Sequence, residues 1–192
     1  MSKSIDWFCK AIRIAGVNFP GAASLVQLQA EVDSAIMSQR IAKLEDPISY
    51  LHEDVPEVSK MIYAKLIEKD SVNLDFENEF YLKYSRALAV LSESGYISKN
   101  NVLGSRIPIG INLINSFFIL YMCAIAGDSK VMGHLIEIVD KCPVGQWLNG
   151  KEIKEDLNIP IFVTRAVFEI YATKGYGLLS RENGSCSYMG NT

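Results

Sequence analysis

The tightest constraint on what this chain can fold into is the punctuation of residues 149 to 189. Within 151–157, Ile153 and Leu157 stand four apart, so both fall on one face of a helix. Asn149 is placed to cap that helix. Asn158-Ile159-Pro160 then interrupts the pattern, because Pro160 has no N–H and disfavours helix at Ile159 while suiting the start of a new one. From Ile161 onward, Val163, Ala166, Val167 and Ile170 make a second apolar stripe, and Gly175 is predicted to end it in a glycine-permissive conformation. Residues 176–179 and 185–189 flank Glu182-Asn183-Gly184, a stretch with the residues that hairpin turns favour. The spacing predicts helix, turn, helix, hairpin.

A further helix is predicted just before, over 129–142, where Val131, Leu135, Ile138 and Val139 repeat at helical spacing and Pro143 follows. Gln146-Trp147-Leu148 would be a short strand. This order of elements resembles the winged helix-turn-helix fold, through a pattern rather than a signature motif. The resemblance implies that the second helix of the motif enters the major groove while the hairpin touches backbone or minor groove. Carried onto this chain, the reading helix is 161–173, with Thr164 and Arg165 facing outward. Lys151 and Lys154 on the preceding helix would meet phosphates, as would Arg181 with Asn183 at the hairpin tip.

The same physics occurs earlier in the chain. Ser85-Arg86-Ala87-Leu88 followed by Gly95-Tyr96 parallels Thr164-Arg165-Ala166-Val167 followed by Gly175-Tyr176. Before it, Val58, Ile62, Leu66 and neighbouring Met61 predict a helix over 56–68, and Val72-Asn73-Leu74 a short strand. Phe80, Tyr84, Leu88 and Leu91 predict one helix over 75–94, closed by Gly95. Lys99-Asn100-Asn101 is read as a turn and 107–113 as the returning strand. Because 75–79 leaves little room for a second helix, this first unit is expected to be degenerate. The expected fold is mainly α with small β-hairpins, as tandem winged-helix units preceded by an N-terminal helical arm. The arm takes 1–47, the first unit 48–113 and the second 114–192. Within the arm, a short helix is predicted over 5–17. A longer one over 22–45 carries Leu25, Leu28, Val32 and Ile36 on one side, either packed on its own chain or forming a dimer seam.

Charge weighs on function. The net charge is −3 and the pI about 5.5, without the basic footprint of strong nonspecific nucleic-acid binding. Between 149 and 183, Lys151, Lys154, Arg165, Lys174 and Arg181 are matched by Glu152, Glu155, Asp156, Glu169 and Glu182. Two functions therefore compete. The first is a DNA-binding transcriptional regulator. The second is a protein-assembly module without direct DNA binding, as tandem winged-helix units serve in chromosome-organising and membrane-trafficking complexes. For that alternative the interaction residues are Phe162 and Phe168, at least one of which should face outward if Val163, Val167 and Ile170 face the core.

Enzymatic chemistry is not expected. The chain has no HExxH, GxSxG or P-loop, and no GxGxxG set between a strand and a helix. Asp75, Glu77 and Glu79 suit a helix start, His52 lacks a nucleophile and is read as a solvated surface residue, and His134 with the four scattered cysteines matches no zinc module. No metal or cofactor is expected. The N-terminus shows no secretory signature, so free thiols in a cytoplasmic homo-oligomer are the expectation. Residues 107–127 carry no charge, but Pro108, Gly110, Asn112 and Asn115 argue for a buried helix over 117–126 rather than a membrane span.

Overall fold

The computed structural model describes residues 48, 49, 51–105, 107–180 and 186–190. The arm at 1–47, with Leu25, Leu28, Val32 and Ile36, lies outside the described residues, as do Arg181 and Asn183. Within them the chain is mixed α and β, with seven helices and two small antiparallel sheets.

The first six elements are α1 (Val55–Lys69), β1 (Asn73–Leu74), α2 (Asn78–Lys83), α3 (Ser85–Glu93), β2 (Ile97–Asn100) and β3 (Gly110–Leu113). A connecting helix, α4 (Ser116–Ala126), follows. The last six are α5 (Ser129–Asp140), β4 (Trp147–Asn149), α6 (Gly150–Leu157), α7 (Ile161–Thr173), β5 (Gly177–Leu179) and β6 (Ser187–Gly190). On either side of α4 the order is helix, strand, helix, helix, strand, strand. In each three-stranded sheet the last strand runs between the other two, as β1-β3-β2 and as β4-β6-β5.

Local chemistry explains these boundaries. Asn149 caps α6 by accepting the Lys151 N–H at 3.0 Å, and its own amide donates to Glu152 at 2.9 Å. Asn115 caps α4 by accepting from the N–H groups of Phe117 and Phe118. Gly175 has a φ of +79°, and the Tyr176 N–H returns to the Tyr171 carbonyl at 3.1 Å, so α7 stops there. His52 is half-buried, and its Nδ1 accepts the Asp54 N–H at the start of α1 instead of facing water.

The core is continuous on both sides of α4. Phe118 to Ala124 are all buried, and α4 packs between α1 and α7. An all-round apolar helix is stable only inside such a sandwich. No described helix is long and apolar enough to cross a membrane. A second tie between the repeats is ionic: Lys154 on α6 pairs with Asp70, which caps α1 in a left-handed conformation.

Four expectations need correcting. The helix expected over 75–94 is two helices, broken at Tyr84 (φ −103°, ψ 22°). The break lets the buried Tyr84 ring lie beside Phe80 while its hydroxyl donates to Glu57 on α1 and accepts from Lys83 at 2.7 Å. Two helices consequently lie between β1 and β2. Lys99 and Asn100 belong to β2 rather than to a turn, pairing with Ile111 and Gly110, and β3 begins only at Gly110. Met61 lies off the buried stripe and is 40% exposed.

Candidate functional site

Helix α7 was the expected reading helix, and its neighbours decide what it can offer. Val163, Thr164, Ala166, Val167, Phe168, Ile170 and Tyr171 are all buried against α4, α5, α6 and the second sheet. Thr164 is fully buried, which corrects its expected outward position. It lies one turn before Phe168 on the same helix face, and Phe168 stacks on Tyr188 of β6. The Thr164 hydroxyl has no hydrogen-bond partner there. Phe168 is likewise fully buried, and Phe162 is half-buried against the core, so neither stands free as an aromatic anchor.

Apart from its end residues Ile161 and Thr173, what remains open on α7 is a narrow stripe of Phe162, Arg165, Glu169 and Ala172. Its charges cancel. Arg165 Nε donates to Glu169 Oε1 at 2.9 Å, and the other carboxylate oxygen of Glu169 accepts from Ser116 at the start of α4. Nearby, Lys151 is exposed, while Lys154 is half-buried and held by Asp70. Of the described phosphate and base candidates, Lys151 and Arg165 are exposed, and Arg165 is neutralised by its neighbour.

Sequence reasoning missed the outer face of the second sheet. In its register Trp147 faces Met189, and Met189 faces Leu178, so three large apolar side chains stand in one row across β4, β6 and β5. Trp147 is 54% exposed and Leu178 51%. The alternate row, Leu148, Tyr188 and Leu179, points inward to α7 and the core. The remaining outward positions of the strands are Asn149 and Ser187, so the described part of this face carries no charge. The corresponding row of the first sheet is Asn73, Asn112 and Ser98, which is wholly polar.

The inward side is held closely. A Cβ on Gly177 would stand 2.3 Å from Cζ of Tyr188, whose hydroxyl donates to the Tyr176 carbonyl at 2.9 Å. Tyr171 donates to Asp140 Oδ1 at 2.6 Å, and burial first, then that bond, pushes its ionisation upward.

A cleft of about 550 Å³ in the first repeat is lined by Phe76, Phe80 and Tyr84 with Asp75, Glu79 and Lys83. Among its charges, Asp75 pairs with Lys69 at 3.8 Å and Lys83 with Glu57 at 3.6 Å. The Tyr84 hydroxyl, and next Lys83, hold the Glu57 carboxyl below its usual range. No group of three or more His, Cys, Asp or Glu with metal-binding geometry occurs among the described residues. The thiols of Cys123 and Cys186 are pushed up by burial, to about 12 and about 11, which suits packing rather than nucleophilic attack.

Comparison with protein-family models, with curated proteins and with solved structures gives no match to this chain.

Proposed function

We propose that this chain is a tandem winged-helix protein that works as a protein-assembly module and does not read DNA with its second repeat. The tandem assignment is supported by the shared element order and by the shared strand order of the two sheets. The observation that carries the functional reading is the outward row of Trp147, Met189 and Leu178. An uncharged apolar strip of this kind has nothing to offer a phosphate backbone and suits the apolar centre of a protein interface. Helix α7 supports the same conclusion from the other side, because its open stripe holds one arginine already satisfied by Glu169. Recognition of a base edge asks for a free bidentate donor.

A second reading keeps DNA but moves it to the first repeat. On α3, Ser85 and Arg86 are both exposed, whereas their counterparts Thr164 and Arg165 are buried and paired.

The test is an anisotropy titration of mixed-sequence duplex DNA at two salt concentrations, with wild type, Arg165→Ala and Arg86→Ala. No salt-sensitive binding is expected. Binding that weakens steeply with salt and is lost in Arg165→Ala would overturn the assembly reading. Loss in Arg86→Ala alone would establish the second reading.

A further inference from the structure

We propose that the cleft beside α2 takes the guanidinium of an arginine side chain presented by a partner protein, flat on the Phe76 ring and held by the carboxylates of Glu77 and Glu79. This site is separate from the Trp147 row and does not rest on the reading of that face.

The ring comes first. Phe76 stacks on Phe80 with centroids 4.1 Å apart and planes 15° from parallel, and Tyr84 lies 5.3 Å from Phe80. Tyr81 stands edge-on to both, 5.6 Å from Phe80 and 6.2 Å from Phe76. A ring placed beyond Phe76 would be far from Phe80, so Tyr81 flanks the pair and does not cover its end. Phe76 is accordingly the last ring of the stack, half-buried, and it lines the cleft of about 550 Å³. Its N–H donates to the Tyr81 hydroxyl at 3.2 Å, which fixes the backbone just before α2.

The charges decide what the cleft takes. Its two lysines are engaged, Lys65 by Glu68 at 3.0 Å and Lys83 by the Tyr84 hydroxyl at 2.7 Å and Glu57 at 3.6 Å. Asp75 is matched by Lys69. Glu77 and Glu79 also line the cleft, and neither carboxylate has a hydrogen bond or ion pair with a described residue. Glu77 precedes α2, yet its side chain makes no cap to that helix. Lys65, Lys69 and Lys83 stand against Glu57, Glu68, Asp75, Glu77 and Glu79, so the negative surplus falls on the last two.

Ring and charge together select the ligand. An anion would meet like charge, and a purely apolar group would take water from two carboxylates without replacing it. A cation between an aromatic face and carboxylates gains from both. The cleft already holds one such contact, with Lys83 Nζ 4.6 Å from the Tyr84 ring centroid. A guanidinium suits Phe76 better than an ammonium, because it is planar, stacks on a ring and offers carboxylates a fork of donors. An arginine within a chain fits better than the free amino acid, whose own carboxylate Glu77 and Glu79 would repel.

The test is a titration of the full, isotope-labelled chain, followed by the amide signals of residues 75–80 and the ring signals of Phe76. The probe is the blocked tripeptide acetyl-Gly-Arg-Gly-amide, with its lysine and citrulline counterparts and free arginine beside it. The arginine tripeptide should shift these signals saturably, with a Kd on the order of 1 mM. Citrulline, uncharged and nearly the same shape, should not bind, and lysine and free arginine should bind more weakly. Glu77→Gln with Glu79→Gln should weaken binding roughly tenfold and leave the melting temperature unchanged, since both residues are exposed. Phe76→Leu should erase the preference for arginine over lysine. Absence of saturation by about 20 mM would overturn the site. So would undiminished binding in the double variant, or a citrulline tripeptide that binds as well as arginine. An arginine preference kept by Phe76→Leu would overturn the stacked pose, and tighter binding of free arginine would overturn the protein partner.

Discussion

Phe168 on α7 stacks on Tyr188 of β6, with ring centroids 5.3 Å apart and planes 24° from parallel. This contact fastens the last hairpin to the helix and turns a would-be reading surface into core. Phe168→Ala should cost about 3–5 kcal/mol, the usual range for a buried aromatic. Denaturant melts measure it. Phe162→Ala, at a half-buried position, should cost distinctly less.

Gly177 is where the Tyr188 ring passes closest to the backbone. A methyl group there would also stand 2.4 Å from the Met189 carbonyl oxygen, which is backbone and cannot swing aside. Gly177→Ala is expected to cost on the order of 1–3 kcal/mol through overpacking and to loosen the β5–β6 pairing. Amide exchange of residues 177–179 and 187–190 should quicken in that variant more than exchange in α1.

Stability should fall at high pH. The Cys123 and Cys186 thiols ionise near pH 9.0 in the unfolded chain, but burial pushes them up to about 12 and about 11 in the fold. Folded pKa values above the unfolded ones mean a contribution fully present below pH 9 and lost as pH rises toward 11–12. Each group lowers stability by on the order of 1.4 kcal/mol per pH unit inside its window. Melting temperatures from pH 8 to 11 should therefore decline, and Cys123→Ala should flatten the decline.

Lys154 and Asp70 join the two repeats, yet both side chains are more than a third exposed. Such a pair contributes little, so Lys154→Ala should change stability by under about 1 kcal/mol. A double-mutant cycle with Asp70→Asn measures the coupling directly.

Much of this architecture is readable from local chemistry. Pro160 and Gly175 mark the ends of α7, and Asn149 marks the start of α6, because a missing N–H, a positive φ and a side-chain acceptor act within a few residues. The break at Tyr84 is not readable in this way. It serves a hydrogen bond to Glu57, 27 residues away, and the periodicity of Phe80, Tyr84, Leu88 and Leu91 runs straight through it. Thr164 misleads for a similar reason: a small polar residue marks an exposed face only when nothing large beside it needs burial, and Phe168 does. The row on the second sheet is the least legible feature. Its strands, Trp147-Leu148-Asn149, Gly177-Leu178-Leu179 and Ser187–Gly190, are too short to show a period of two. Only their register reveals that one residue from each shares a face.

The most direct measurement is oxidative footprinting of the full chain, with each residue's rate taken relative to the denatured protein. If the second repeat offers partners its sheet face and keeps α7 as core, Trp147 and Met189 should oxidise readily in dilute protein while Phe168 and Tyr171 stay protected. Phe168 and Tyr171 oxidising as fast as Trp147 would contradict this, because α7 would then be an open surface.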